Sequence, residues 1–213
     1  MTKKSKNLIF FLSHIDDFEF SCLGYLFKNY HLYDNIDIVL ASFWHDKEPV
    51  FLNNLNTIQA AIGRKIMYKN LHFAQRTLNN NYDFMKDEFY KSISFDEHFD
   101  IVTHDSSDAH SDHLAVHKAS FGLFKHSNKF LTVYSPSSVN FNPNYYVEMS
   151  KELYDFKHNL LTNYDFNKEQ SYSSKGTYFR KEYTNIAGIY SMENFINREM
   201  EYCEIYKIYK WVQ

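Results

Sequence analysis

Two short clusters of histidine and aspartate are the part of this sequence that could do chemistry. The first is "HIDD" at positions 14–17, directly after an apolar run, and the second is "HSDH" at positions 110–113. Neighbouring carboxylates repel each other, and burying them is costly without a compensating positive charge. A metal ion, an Arg or Lys side chain, or solvent could supply that compensation. Imidazole and carboxylate groups are both zinc ligands, so the clusters indicate a candidate metal site.

A catalytic zinc site needs about three protein ligands and one open position. His14, Asp17 and His113 would form such a set, with two histidines and one carboxylate. Asp16 and His110 would then remain beside the metal as a base and as an acid or electrophile. Each cluster alone has an ordinary alternative, since paired aspartates after a strand are common as helix N-caps or in solvated turns. The metal hypothesis therefore depends on whether the fold brings the two clusters together.

The surrounding elements predict an α/β fold. Short runs rich in Ile, Val, Phe and Tyr predict five strands, and the amphipathic segments between them predict helices. The strands are 8–14, 36–42, 65–71, 99–104 and 130–135; the helices are 17–30, 51–63 (ending at Gly63), 83–95 and 112–126. This alternation predicts a Rossmann-like, largely parallel sheet with helices on both faces. The segment after about residue 143 is less regular, with helices expected at 145–161 and 191–210 and extended chain at 178–190.

The predicted strands place the polar clusters at one edge of the sheet. In an open parallel sheet, ligands bind beyond the carboxyl ends of the strands. "HIDD" follows the first strand, Trp44-His45-Asp46 follows the second, and His104 ends the fourth, shortly before "HSDH". We therefore expect the clusters to converge on one cleft.

Composition excludes several other classes of protein. The 213 residues suit one domain spanning 1–213, with 44% hydrophobic and 23% charged residues. A net charge of -3 provides no basic surface for nucleic acid. The apolar stretch Leu8–Leu12 is too short for a signal core or a membrane span. The two cysteines form no metal-type or redox-type pair. We interpret the chain as a cytoplasmic protein without a transmembrane segment; its oligomeric state is left open.

The two clusters resemble the motifs of a known family. "HIDDFE", followed by Cys22 and Gly24, resembles the "HPDDE…GCGG" start of the PIG-L/LmbE-like deacetylases, and "THDSSDAHSDH" (103–113) resembles their second motif. "YTNIAGIYSMENF" (183–195), with Gly188, Glu193 and Phe195, resembles their closing segment. The resemblance implies a Rossmann-like fold and zinc-dependent hydrolysis of N-acetyl groups on amino sugars. The implied partner is a small N-acetylated sugar, free or linked to a nucleotide or a lipid.

The resemblance also implies a role for each matching residue. The metal ligands would be His14, Asp17 and His113; the catalytic residues would be Asp16 as general base, His110 as stabiliser of the oxyanion and Asp112 as the residue that orients a histidine. Zinc is the expected metal, although Fe²⁺ or another divalent transition metal suits the same ligands. Either Asp16 or His110 could protonate the departing amine.

Some positions depart from the family pattern. Ile15 replaces a proline, Phe18 replaces a glutamate, and Phe51 and Asn54 stand where the family has Arg and Glu in its second helix. These replacements lead us to expect an altered substrate pocket. Two alternatives therefore stay open: a metal hydrolase that cleaves a different amide or ester, and a sugar-binding relative without turnover.

Overall fold

The computed structural model describes residues 6–44, 46–164 and 202–212 of the chain. Strands and helices alternate along most of it, which confirms the predicted α/β fold. The elements are β1 (Lys6–Leu12), α1 (Asp17–Ser21), α2 (Leu23–Asn29), β2 (Asn35–Phe43), α3 (Glu48–Ile62), β3 (Met67–Ala74), α4 (Tyr82–Lys91), β4 (His98–His104), α5 (Ser111–Phe121), β5 (Lys129–Val133), β6 (Tyr145–Glu148), α6 (Lys151–Thr162) and β7 (Cys203–Trp211). Short 3₁₀ turns follow α2 and precede α4.

The described strands form one sheet of seven in the order β3-β2-β1-β4-β5-β7-β6. The first five strands of the chain are parallel to one another, and β7 pairs antiparallel with both β5 and β6. From β1 the chain crosses over to β2 on one side, whereas from β4 it continues to β5 on the other. The loops that follow β1 and β4 therefore diverge and leave a crevice, the usual ligand position in such sheets.

Successive apolar residues of the central strands point to opposite faces of the sheet and build a core on each face. In β1, Leu8, Phe10 and Leu12 face one core, which the helices α1, α2, α3 and α6 cover. Ile9 and Phe11 face the other, which α4 and α5 cover. A strand buried on both faces reads as a continuous apolar run, as β1 does. Helices on both faces of the sheet are thus confirmed.

Each strand and helix predicted before residue 143 has a counterpart in the structure, with ends that differ by up to five residues, and one predicted helix is divided. The helix predicted at 17–30 divides at Cys22 into α1 and α2. Gly63 ends α3 with a left-handed φ of 64°, the conformation that glycine adopts readily at this position. No helix in the described part of the chain has the length and apolar character needed to cross a membrane.

Two predictions for the C-terminal segment are wrong. The helix expected at 145–161 begins only at α6, because Ser150 caps it by accepting a hydrogen bond from the N–H of Leu153, while 145–148 pairs with β7 as a strand. The helix expected at 191–210 is contradicted over 203–210, which belongs to β7. A bulge in the pairing of β7 with β5 shifts the register and disturbs the alternation that would identify a strand. The predicted extended chain at 178–190, most of the second helix and the family-like closing segment with Gly188, Glu193 and Phe195 lie outside the described residues.

Candidate metal centre

The loop after β1 carries the first cluster and is held by its own backbone. The N–H of Ser13 donates to Nε2 of His104 at 3.0 Å, and its carbonyl accepts from the N–H of Ser42 at 2.9 Å. The N–H of His14 donates to Oδ2 of Asp17 at 2.7 Å, which closes a tight turn just where α1 begins. This turn directs both side chains toward the crevice between β1 and β4.

The loop after β4 carries the second cluster. His110 is the N-cap of α5, and its Nδ1 accepts a hydrogen bond from the N–H of Asp112 at 3.2 Å. His113 follows in the first turn of that helix and is 6% exposed. The predicted cleft therefore exists, with "HIDD" on one wall and "HSDH" on the other. The segment Trp44-His45-Asp46 after the second strand was also expected at this cleft. Asp46 is exposed and pairs with Lys47 at 4.0 Å, and His45 lies outside the described residues.

Three side chains, those of His14, His113 and Asp17, meet across the cleft. Nδ1 of His14 lies 3.2 Å from Nε2 of His113. The carboxylate of Asp17 completes the set, with Oδ2 at 3.4 Å from Nδ1 of His14 and Oδ1 at 3.5 Å from Nε2 of His113. Ligands bound at about 2.0–2.1 Å in a tetrahedral zinc site are about 3.3 Å from one another. The two nitrogens are spaced as in such a site, and Asp17 presents a different oxygen to each of them. Among the described residues, the groups whose single donor atoms all lie within 4.8 Å of one another are His14 with His110 and His113, Asp17 with His104 and His113, and His14 with Asp16 and Asp17.

The outward nitrogens of both histidines face carboxylates. Nε2 of His14 lies 3.4 Å from Oδ2 of Asp112, and Nδ1 of His113 lies 2.8 Å from Oδ2 of Asp108. A carboxylate accepts the proton of one ring nitrogen and so leaves the lone pair on the other, which is the usual arrangement around metal-binding histidines. In this protein both lone pairs are then directed at the same point, where only a proton or a cation relieves their repulsion. The donor set thus fits a divalent metal ion.

The pKa values show the same demand for positive charge. Burial lowers the pKa of His14, but the hydrogen bonds of Asp112 and Asp17 outweigh it and raise the value to about 10. Burial and the neighbouring imidazoles lower the pKa of His113 to about 4. Asp17 is buried, yet the nearby histidines hold its pKa well below the ordinary value. The cleft therefore stabilises one positive charge among several carboxylates.

Asp16 and His110 flank these three side chains. A carboxylate oxygen of Asp16 lies within 4.8 Å of the donor atoms of His14 and Asp17, and no hydrogen bond from another described residue is found at its side chain. Burial and the adjacent charge of Asp17 raise the pKa of Asp16 to about 6. The ring of His110 lies 4.7 Å from that of His113 between centroids, and burial and the charge of His14 lower its pKa. Because Nδ1 of His110 accepts a hydrogen bond, its proton sits on Nε2 of a neutral ring.

His104 lies next to the same atoms but has a structural position. It is fully buried, stacks on His113 with 3.9 Å between ring centroids, and its Nε2 lies 3.2 Å from Oδ2 of Asp17. The same nitrogen accepts the N–H of Ser13 at 3.0 Å, and His104 also belongs, with Asp17 and His113, to one of the groups that could hold a metal ion. The sequence left this residue open between substrate contact and structural hydrogen bonding, and complete burial supports the structural role.

Two groups at the site, the side chain of Asp108 and the backbone N–H of Arg76, could not be identified from the spacing of the predicted metal ligands. Asp108 contacts His113 and the backbone of His110, and the N–H of Arg76 donates to Oδ2 of Asp112 at 2.6 Å. Arg76 adopts a left-handed φ of 65°, which is unusual for a side chain other than glycine and turns its N–H toward the site. An aspartate two residues before His110 is the only local hint, since Asp commonly accepts a backbone N–H two residues on.

The replaced family positions are in the core rather than in a pocket. Phe18, Phe51 and Asn54 are all 0% exposed. Phe51 packs against the ring of Tyr68, and Nδ2 of Asn54 donates to Glu19 at 3.0 Å. These side chains therefore pack within the core beside α1 and α3, and the expectation of an altered substrate pocket stays a prediction.

Comparison with known proteins places the fold but not the reaction. No protein-family model and no curated protein matches the sequence. Among solved structures, the N,N'-diacetylchitobiose deacetylase of Pyrococcus horikoshii matches with 13% identity and a TM-score of 0.63, over 97% of this chain and 84% of its own. The zinc-inhibited form of teicoplanin deacetylase matches with 10% identity and a TM-score of 0.64, over 96% and 97%.

Both of these structural neighbours are named as deacetylases, so the likeness to deacetylases seen in the motifs extends to the fold. The same fold also carries another reaction. The 4-carboxy-2-hydroxymuconate hydratase of Pseudomonas putida matches with 13% identity and a TM-score of 0.57, over 96% of each chain. A fold alone does not select a reaction, so function has to be argued from the side chains in the cleft.

Proposed function

We propose that this protein is a metal-dependent hydrolase that removes the N-acetyl group from an amino sugar. The observation that carries the proposal is the convergence of Nδ1 of His14, Nε2 of His113 and the carboxylate of Asp17 at 3.2–3.5 Å, with both outward nitrogens on carboxylates. The family resemblance of the two motifs and the deacetylases among the structural neighbours support the choice of reaction.

Each side chain has a distinct part in the proposed reaction. His14, Asp17 and His113 would hold zinc, which acidifies water and polarises a carbonyl oxygen when bound. Asp16 takes a proton from the attacking water; its carboxylate lies beside the donor atoms of His14 and Asp17, and burial and the charge of Asp17 raise its pKa, which makes it a stronger base. His110 donates its Nε2–H to the oxygen that becomes negative as the acetyl carbonyl is attacked. The departing amine takes its proton from Asp16, once that is protonated, or from His110.

The substrate is proposed as a free, nucleotide-linked or lipid-linked N-acetylated sugar, and Fe²⁺ is the main alternative to zinc. Two other functions use the same cleft: cleavage of a different amide or ester, and sugar binding without turnover. A binding protein has no need for a carboxyl group poised as a base, so the position of Asp16 favours an enzyme. The single domain over 1–213 and the cytoplasmic location stay predictions from the sequence.

Acetate release tests the proposal. The metal-loaded protein is incubated with a panel of N-acetylated sugars, N-acylated amides and esters, and acetate and free amine are both quantified with and without chelator. We expect chelator-sensitive release from an N-acetyl sugar. Release only from other amides or esters would support the second function, and sugar binding without release would support the third.

Replacing Asp16 tests the mechanism separately from the substrate. Asp16→Asn should keep the metal and lose about 10²–10⁴-fold in turnover, because a positioned base contributes about that much. Asp46→Asn is the matched control, since this exposed carboxylate follows the neighbouring strand and pairs with Lys47. Near-normal turnover by Asp16→Asn, with its metal content verified, would remove Asp16 from the mechanism.

A further inference from the structure

Asp108 lies outside the motif residues, yet it contacts both halves of "HSDH". Its side chain is 3% exposed and sits in the loop between β4 and α5. Oδ2 lies 2.8 Å from Nδ1 of His113 and accepts from the hydroxyl of Ser135. Oδ1 accepts from the N–H of His110 at 2.8 Å and from the hydroxyl of Ser137 at 2.6 Å. One buried carboxylate therefore joins a proposed metal ligand to the residue proposed to stabilise the oxyanion.

We propose that Asp108 is a positioning residue that sets the tautomer of His113 and holds His110 beside it, through the contacts just described. The inference rests on the proposed function, because it assigns a partner to two residues of that site. It also makes the assignment from the sequence more specific: Asp112 orients His14 across the cleft, and Asp108 orients His113.

The hydrogen-bond pattern determines the tautomer. The hydroxyls of Ser135 and Ser137 and the N–H of His110 all donate to Asp108, so its carboxylate is ionised and has no proton to give. Nδ1 of His113, 2.8 Å away, must then carry the ring proton. The lone pair of His113 is then on Nε2, the atom that faces His14 and Asp17. With the proton on Nε2 instead, the ring would present a donor where a ligand is required. Asp108 thus keeps His113 able to bind a cation.

The same carboxylate also holds the backbone of His110, from which the imidazole projects. Its bond to the N–H of His110 anchors the N-cap of α5, and a bridge between Asp108 and Ser138 ties the loop to the segment after β5. His113 lies one helical turn further along α5. Loss of the charge would therefore loosen the two histidines together, which a contact to only one of them would not do.

Zinc affinity of the full-length protein tests this assignment. Asp108→Asn has one acceptor oxygen where the native side chain has two, so its amide N–H₂ must face at least one of the four donors. We expect zinc binding, measured by competition with a chromophoric chelator, to weaken by about 10–100-fold, as is typical when the carboxylate behind a ligand histidine is lost. Circular dichroism and the melting temperature verify that the variant is folded.

Asp105→Asn is the matched control. Asp105 is also buried in this loop and accepts hydrogen bonds from the N–H of Ser107 at 2.9 Å and the hydroxyl of Tyr209 at 3.1 Å, but it bonds to neither His110 nor His113. We expect its zinc affinity to stay within about threefold of the wild type. Equal affinities for Asp108→Asn and Asp105→Asn would overturn the assignment.

The ring proton of His113 is read directly by ¹⁵N–¹H correlation of the imidazoles in the wild type. This measurement does not require any variant of Asp108 to fold. The variant His113→Gln identifies the signal of His113, because that signal disappears from its spectrum. We expect this signal to show a proton on Nδ1, and a proton on Nε2 would refute the proposal. Wild-type protein that binds zinc but releases no acetate would refute the proposed function and leave this result unaffected.

Discussion

Lys157 and Glu204 form an ion pair in the interior, and breaking it should destabilise the protein strongly. Nζ of Lys157 in α6 lies 2.7 Å from Oε1 of Glu204 in β7, and the two side chains are 2% and 4% exposed. The other oxygen of Glu204 accepts from the N–H of Tyr25 at 3.1 Å and from the hydroxyl of Tyr206. Lys157→Met keeps the apolar stem of the lysine but leaves the carboxylate without its cation.

The expected loss of stability depends on whether the unpaired carboxylate of Glu204 can take up a proton. Removing one partner of a buried pair typically costs about 3–5 kcal/mol. Protonation limits that cost, because a glutamate in water can be neutralised at pH 7 for about 3.7 kcal/mol (about 2.7 pH units above its ordinary pKa at about 1.36 kcal/mol each). At pH 5 the same neutralisation costs only about 1 kcal/mol. We therefore expect a loss of about 3–4 kcal/mol at pH 7 and a much smaller loss at pH 5.

Urea denaturation at the two pH values measures both losses. The double variant Lys157→Met with Glu204→Gln should recover most of the stability at pH 7, since no charge is then buried. Lys151→Met is the control: Lys151 pairs with Asp155 on the exposed face of the same helix, and such pairs contribute at most about 1 kcal/mol. A loss below about 1 kcal/mol for Lys157→Met at pH 7, or an equal loss at both pH values, would refute this reasoning.

Two further predictions concern the metal and the pH dependence of stability. His113→Ala and Asp17→Ala should each abolish stoichiometric metal in elemental analysis, and a full complement in both variants would contradict the ligand assignment. Burial lowers the pKa of His117, whose Nδ1 donates to the carbonyl of His104 at 2.9 Å. Below about pH 6.5 the unfolded chain therefore binds a proton more readily than the folded one, and the free energy of unfolding falls. His117→Asn keeps an N–H donor without this titration, so urea denaturation should show a smaller loss between pH 7.5 and 5.5 than in the wild type; an equal loss would exclude His117 as a source.

The amino-acid sequence predicts the central architecture because its signals are local. Alternating apolar residues and capping residues such as Gly63 belong to one element each and can be identified without knowing what packs against it. The order of strands and helices then implies a parallel sheet, and a parallel sheet implies that its strand ends share an edge. These steps predict, before any distance is known, that His14 and His113 lie in one cleft.

Tertiary structure decided everything that depends on partners distant in sequence. Asp108 takes its role from Ser135 and Ser137, which lie in a loop after β5. The imidazole of His104 accepts the backbone N–H of Ser13, which lies far from it in the sequence. Strand β7 owes its position to pairing with β5 and β6 and to the buried pair of Glu204 with Lys157. Such contacts form only when the whole chain packs, because hydrogen bonds and ion pairs between elements leave no periodic pattern along the sequence.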